Sequence, residues 1–145
     1  MNIRKIGVIG AGLMGAGIAQ VAAQAGYQVI LRDLEDKLVE KGFSVIKKNL
    51  EKAQSKGKLT KDEVQEVLGR MSTTTQLGDL QDADLIIEAI IEHMPIKKEL
   101  FTQLDQICKP EAIFATNTSG LSITELATVT KRCQQVIGMH FFKPV

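Results

Sequence analysis

Apolar residues follow two rhythms along this chain, and the switching between them predicts its elements. Short unbroken apolar runs, suited to strands buried on both faces, occur at Ile6 to Ile9, within Gln28 to Arg32, at Leu85 to Ile87 and at Ala112 to Ala115. A β-branched run at Met71 to Thr75 and a last run at Gln135 to Met139 complete the set. Between them the apolar positions fall three and four apart, the helical spacing. One stripe runs from Met14 through Ile18, Val21, Ala22 and Ala25, with Gly26 where a left-handed cap is expected. A longer one carries Leu38, Val39, Phe43, Ile46 and Leu50 to about Ser55 and is ended by Gly57. Thr60-Lys61-Asp62-Glu63 has the form of a capping box and opens a helix with Val64, Val67 and Leu68 on one face and Gly69 at its close. These two helices, over about residues 35–69, form a hairpin longer than a crossover between strands needs, and it reads as an insertion projecting from the sheet. Leu77 to Asp84 reads as a polar link. Pro95 suits the first turn of a helix with Ile96, Leu100, Phe101, Leu104 and Ile107 on its inner stripe, and Pro110 follows its end. Ser122-Ile123-Thr124-Glu125 is a second capping box before a short helix through Leu126 and Ala127. Alternation of strand and helix throughout predicts an α/β fold, a doubly wound parallel sheet with right-handed crossovers, in one domain over residues 1–145.

The first strand runs straight into Gly10-Ala11-Gly12-Leu13-Met14-Gly15, which fits G-x-G-x-x-G and makes the sheet Rossmann-like. Gly10 permits the tight turn, Gly12 lets backbone approach a pyrophosphate, and Gly15 lets the next helix lie close on the strand. That helix aims its free N–H groups and positive dipole end at the pyrophosphate. Glycines so spaced also occur in ordinary turns, and a lone acid at a strand end is usually just solvated. Here strand, glycines, helix and second strand are in register with Asp33, roughly twenty positions on, where the ribose 2′-OH of NAD needs an acceptor. NAD is therefore the expected cofactor. A carboxylate at Asp33 repels the 2′-phosphate of NADP, and Arg32 just before it is the feature in NADP's favour.

Composition narrows the partners. At 145 residues and 44% hydrophobic content the chain can bury one proper core. A net charge of +1 gives no global attraction to nucleic acid or to an anionic membrane, so neither is expected as a partner. The longest apolar stretch, Ile6 to Ala19, is rich in glycine and too short to span a bilayer, and the amino terminus enters a strand with no signal peptide, so a cytoplasmic location is expected. Cys108 and Cys133 share no metal-ligand spacing with each other or with a histidine. No metal is expected, and both read as reduced thiols unless the fold brings them together.

In such a sheet ligands bind outside the carboxyl ends of the strands. Gly10 to Gly15, Asp33, Glu88 to His93, Asn117 to Ser119 and His140 all fall there. Histidine accepts a proton near neutral pH, and beside a hydride acceptor it makes alcohol oxidation feasible. A structural histidine at a strand end is the other reading of His140, and spacing alone leaves both standing. His93 reads as a solvated loop residue, while Glu92 and Ser119 read equally as a helix-capping acid and a turn hydroxyl. On the hairpin, Lys47, Lys48, Lys52, Lys56, Lys58 and Lys61 concentrate positive charge. A solvated helix face is the commoner meaning of such a run, and an anion site beside the cofactor cleft the sharper one.

Four blocks, in order, resemble the NAD-binding domain of the 3-hydroxyacyl-CoA dehydrogenase family, which includes 3-hydroxybutyryl-CoA dehydrogenases. They are Gly10-Ala11-Gly12-Leu13-Met14-Gly15-Ala16-Gly17-Ile18-Ala19-Gln20; Glu88-Ala89-Ile90-Ile91-Glu92 with Lys97; Asn117-Thr118-Ser119; and Gly138-Met139-His140-Phe141-Phe142-x-Pro144-Val145. Many dehydrogenases share the first block, but the four jointly are specific, and the likeness covers essentially the whole chain. The resemblance implies a Rossmann-like first domain followed by an all-helical domain that usually makes a homodimer. It also implies oxidation of an L-3-hydroxyacyl-CoA to the 3-oxoacyl-CoA with NAD, or the reverse. Carried over by position, Gly10, Ala11, Gly12, Leu13, Met14, Gly15 and Asp33 would hold the adenosine half of the cofactor, with Ala89, Glu92, Lys97 and Lys143 along it towards the nicotinamide. Ser119 would touch cofactor and acyl-CoA near the reacting oxygen, and His140 corresponds to the catalytic histidine. Asn49 and Lys56 align with positions that contact coenzyme A, which raises the anion-site reading of the lysine-rich face.

The chain departs from the family in two places. Lys143 stands where the family usually has asparagine, which would bring a cation near the nicotinamide and the substrate carbonyl. The family's glutamate that orients the histidine falls about a dozen residues past Val145, so the expectation is an excised or truncated domain that binds NAD and catalyses poorly, because an unoriented imidazole loses much of its advantage as a base. The competing expectation is a non-catalytic nucleotide-binding module of the same fold. A dehydrogenase of free 3-hydroxyacids would share the glycine turn and Met14, but such enzymes use a lysine on a later helix as acid/base, and the Asn117 and His140 blocks argue against it.

Overall fold

A computed structural model describes residues 2–142. Six parallel strands, β1 (Lys5–Ile9), β2 (Gln28–Arg32), β3 (Met71–Thr74), β4 (Leu85–Glu88), β5 (Ile113–Thr116) and β6 (Val136–Gly138), form one sheet in the spatial order β3-β2-β1-β4-β5-β6. Their sequences are apolar at successive positions because helices cover both faces. Ile6 and Val8 of β1 enter one core and Ile9 the other; β2 divides Val29 and Leu31 from Ile30, and β4 divides Leu85 and Ile87 from Ile86. Helices α1 (Leu13–Gln24), α2 (Asp36–Ser55) and α3 (Lys61–Gly69) close the first core, and α4 (Met94–Ile107) and α5 (Ile123–Thr128) the second. From β1 the chain winds outward through β2 to β3, then crosses back past β1 to β4. That reversal opens a crevice above the carboxyl ends of β1 and β4, where Ile9 is in register with Arg32 on one side and Glu88 on the other.

Several details differ from the periodicity reading, each for a packing reason. Ile18 and Ala22 of the predicted stripe are buried, but Val21 and Ala25 are exposed, and α1 also buries Gly15, Ala16, Ala19 and Ala23, small residues that let it lie close between the sheet and the hairpin. The stretch read as a polar link contains a tight helical turn, Leu77–Leu80, with Leu80 fully buried. Leu80 fills the space that Gly7 leaves over β1: a Cβ there would come within 2.9 Å of it. The hairpin does not stand clear of the sheet, since Ile46, Leu50, Val64 and Val67 are part of the first core. Its capping box forms in both directions, Glu63 N–H donating to Thr60 Oγ1 at 3.1 Å and Thr60 N–H to Glu63 Oε1 at 2.9 Å. Both cysteines are free, Cys108 buried and Cys133 exposed, and burial pushes the Cys108 thiol up to about 11. No helix of the described residues is long and apolar enough to cross a membrane.

Candidate functional site

The glycine turn is built by contact as well as by backbone freedom. Gly10 adopts φ +107°, and a Cβ on it would lie 2.5 Å from the Ala89 carbonyl oxygen of the neighbouring β4 loop. A Cβ on Gly15 would lie 1.6 Å from the Gly10 carbonyl oxygen, which fixes how closely α1 sits on the turn. Gly12 is different: nothing lies within 4 Å of its Cβ position, so the turn is open to solvent there. Gly12 is also the N-cap of α1, contributes no capping side chain and is followed by no acid in the first turn. The amide groups of that turn are thereby left for an anion, and the residues fit a dinucleotide diphosphate. Leu13 is exposed beside the turn, while Ala11 is buried and its N–H donates to Asp33 Oδ2 at 2.7 Å. The other Asp33 oxygen accepts from the Leu34 N–H at 2.7 Å. A cavity of about 580 Å³ opens between Gly10, Gly12 and Asp33, with Leu34, Leu38 and Ile96 as its apolar side. Leu38 and Ile96, read above as core positions, face this cavity. Arg32 Nε donates to the Thr75 carbonyl at 3.1 Å; burial lowers the guanidinium's pKa while the adjacent Asp33 opposes that shift.

A second cavity, of about 440 Å³, adjoins the first across Ala89 and Ile90, which line both. Met14, Glu92, Lys97, Asn117, Ser119 and His140 line it. The segment after β6 is stitched to the loop after β5. Met139 N–H donates to the Thr116 carbonyl at 2.9 Å and Phe141 N–H to Asn117 Oδ1 at 2.8 Å, while His140 Nδ1 lies 3.1 Å from the Asn117 carbonyl oxygen. The Phe142 ring stands edge-on to the imidazole at 4.6 Å. With a carbonyl facing Nδ1, the fitting tautomer carries its proton there and leaves Nε2 as the basic nitrogen. His140 and Ser119 are both exposed in this cavity.

Beneath that wall lies a polar cluster only partly visible in the sequence. Lys97 is 1% exposed, its Nζ 2.6 Å from Glu88 Oε2 and 3.0 Å from Glu92 Oε1. Glu88 is fully buried and also accepts from Thr116 Oγ1 at 2.6 Å and from the Ile90 N–H at 2.8 Å. Glu92 accepts from Thr118 Oγ1 at 2.6 Å. Burial disfavours the Glu92 carboxylate, but the hydrogen bonds from Thr118 and Lys97 outweigh it and hold the group below the usual carboxylate range. Glu92 is thus a partner of Lys97 and not a helix cap; His93 caps α4, its Nδ1 accepting from the Ile96 N–H at 3.4 Å. Glu88 and Thr118 fall at the ligand edge as the sequence predicts, but their pairing with Lys97 and Glu92, the part played by Thr116 and the holding role of Asn117 are not visible in the sequence. The available signal was an acid closing a wholly apolar strand, since an acid so placed must be paired. Asn49 donates to Gln20 Oε1 at 3.2 Å and Lys56 caps the end of α2; both are exposed and neither lines either cavity. Lys143 lies outside the described residues.

Comparison with known proteins agrees with this arrangement. The family model for the 3-hydroxyacyl-CoA dehydrogenase NAD binding domain matches residues 5–145. A Deinococcus radiodurans protein named "probable 3-hydroxybutyryl-CoA dehydrogenase" is 55% identical over 97% of this chain and 50% of its own length. The 3-hydroxybutyryl-CoA dehydrogenase of Clostridioides difficile is 50% identical over 97% of this chain and 50% of its own length. The crystal structure of the (S)-3-hydroxybutyryl-CoA dehydrogenase PaaH1 from Ralstonia eutropha superimposes with a TM-score of 0.96 at 42% identity, covering 99% of this chain and 51% of that one. The chain thus spans about half the length of these relatives. By the match of that family model to nearly all of its residues, and by these identities, the chain with this parallel sheet, glycine turn and histidine-bearing cavity belongs to the family of 3-hydroxyacyl-CoA dehydrogenase NAD binding domains.

Proposed function

We propose that this chain is the coenzyme-binding part of a cytoplasmic L-3-hydroxyacyl-CoA dehydrogenase, interconverting the 3-hydroxyl of an acyl-CoA thioester and the 3-oxo group. The observation that carries the proposal is the pair of joined cavities, one ending at Asp33 and the other holding His140, Ser119 and Asn117. NAD, when bound, supplies the acceptor for the hydride that leaves carbon 3. The chain's own residues do the rest. The Gly10 to Gly15 turn and the start of α1 hold the diphosphate, and Asp33 accepts a hydrogen bond from the adenosine ribose. His140 takes the hydroxyl proton on Nε2 as the C–H electron pair departs, and its imidazole releases that proton to water afterwards. The Ser119 hydroxyl donates to the substrate oxygen, which gains negative charge as its proton leaves. Asn49 and Lys56, on the exposed face of α2, meet the phosphates of coenzyme A.

The relatives are about twice as long, and to their further half we assign the acid that orients His140, the second wall of the substrate cavity and the dimer contact. These 145 residues accordingly carry the coenzyme site and the imidazole, and catalysis is read with that further half in place. Titration with NADH, followed by fluorescence, tests the first part. The second is tested in the chain joined to the second half of the Deinococcus relative, by following NADH oxidation with acetoacetyl-CoA. His140→Ala should lower turnover there by about 10²- to 10⁴-fold with NADH affinity unchanged. Loss of affinity with turnover retained would assign His140 to binding, and no uptake of NADH by the unaltered chain would end the proposal.

A further inference from the structure

The Glu88, Lys97 and Glu92 cluster holds more charge than its burial requires. A lysine 1% exposed needs one carboxylate to neutralise it, and Glu88 at 2.6 Å does so. Glu88 has no freedom to do anything else: it is fully buried and fastened by Lys97, Thr116 Oγ1 and the Ile90 N–H. Glu92 is then a second carboxylate on the same ammonium group, 3.0 Å away, with its side chain 48% exposed on the cavity that holds His140. Its other oxygen is held by Thr118, so it cannot swing away from that wall. Two carboxylates and one ammonium leave the unit with one surplus negative charge. Among the described residues that line this cavity, His140 is the remaining ionisable group.

We infer that Glu88, Lys97 and Glu92 act as one charged unit whose surplus negative charge favours the oxidised, cationic form of the nicotinamide coenzyme over the reduced form. The inference rests on the proposed function for the location of the nicotinamide beside His140. The diphosphate charge is common to both forms and cancels between them, whereas the ring carries a positive charge only when oxidised. A fixed negative charge on the cavity wall therefore acts on the difference. Glu88 is the positioning residue of the unit. It fixes the Lys97 ammonium between the two acids and prevents it from turning towards the cavity, where it would reverse the sign of the field. The consequence is a bound coenzyme that is a stronger hydride donor than it would be without the unit.

The test is the ratio of two dissociation constants, for NAD⁺ and for NADH, measured by calorimetry at one neutral pH and one ionic strength. A purely structural role weakens both forms together and leaves the ratio where it was. Removing either acid's charge, by Glu92→Gln or Glu88→Gln, should raise Kd(NAD⁺)/Kd(NADH) by roughly three- to tenfold, the scale for one charge acting across a partly solvated cavity. ADP-ribose, which lacks the nicotinamide, should bind the Glu92→Gln chain as it binds the unaltered one. Glu92 is half-exposed and its glutamine replacement can still accept from Thr118, so this variant decides the matter even if Glu88→Gln does not fold. A ratio within about 1.5-fold of the unaltered chain's, against the Coulomb expectation, or an ADP-ribose affinity that falls as far as that for NAD⁺, would overturn the inference. Failure of the unaltered chain to bind either coenzyme would instead overturn the proposed function.

Discussion

Asp33 shows how one side chain ties the fold together at the edge of a cavity. Its two oxygens accept from the Ala11 and Leu34 amides, each at 2.7 Å, so the carboxylate ties the glycine turn to the end of β2 while it borders the larger cavity. Truncation removes the tie and, under the proposed function, the ribose acceptor at once. Asp33→Ala should weaken NADH binding by about 1.5–3 kcal/mol, the scale of a hydrogen bond to a charged group, as read by fluorescence titration. An unchanged dissociation constant would take the ribose role away. The distance from the glycines to this acid was legible because it is set by one helix and one strand, both local. What the acid touches was not, since Ala11 meets it only after the chain has folded back on itself.

At the scale of elements, α2 and α4 each depend on a residue whose purpose lies in another element. Gly42 interrupts α2 at a position where alanine is the better helix former by up to about 1 kcal/mol. A Cβ there, however, would stand 2.6 Å from the Ala11 carbonyl oxygen and 3.0 Å from the Ala11 Cβ. Gly42→Ala should therefore destabilise the chain by about 1–3 kcal/mol, seen in urea denaturation, and weaken NADH binding by shifting the glycine turn. A more stable variant with unaltered affinity would show that α2 can give way. Arg132 does the corresponding work for α4. It is 6% exposed and donates from Nε to Asp105 at 2.6 Å and from its other nitrogens to the carbonyls of Lys109, Ala112, Asp105 and Cys108, with its guanidinium 4.5 Å from the Phe114 ring centre. Several of those carbonyls end α4 or follow it, where a cation also suits the helix dipole. Arg132→Met should cost about 3–5 kcal/mol, measured by denaturation, because it takes the cation from the part-buried Asp105 carboxylate and the donors from four carbonyls at once. The Thr60 capping box joins residues three apart and can be read directly; the one expected at Ser122 forms only its forward half, because the Glu125 carboxylate pairs with Lys98 instead, and Arg132 caps a helix that ended well before it and carries no local mark of doing so.

For the whole molecule the informative group is Asp84, at the start of β4. Its carboxylate accepts from the backbone of Arg4 and Lys5 at 2.8 and 2.9 Å and pairs with Lys109, pinning the beginnings of β1 and β4 in register. The hydrogen bond from Lys109, then those from Arg4 and Lys5, hold its pKa down at about 2, against an ordinary 3.8. A pKa lower in the folded than in the unfolded state stabilises the fold fully above the ordinary value, and the contribution is lost as pH falls through the folded one. The melting temperature should therefore decline between pH 3.8 and about 2. Asp84→Asn should be less stable at neutral pH and show a shallower decline over that window; an identical decline in calorimetry would assign the acid sensitivity to other carboxylates.

The sequence by itself determined the order of strands and helices, the doubly wound sheet, the glycine turn with its acid, and the histidine-bearing end of the last strand, because each is written in residue patterns that repeat over a few positions. Periodicity, caps and turn glycines are local physics. Only the tertiary structure decided which apolar residues fill the core and which line a cavity. Leu38 and Ile96 have the same spacing as their buried neighbours yet face the ligand crevice. It also decided that Lys97 lies between two acids, that Asn117 holds the imidazole, and that Arg132 closes α4. These pairings join positions five to twenty-seven apart, and a side chain's type says that it needs a partner without saying which partner the packed chain will bring to it.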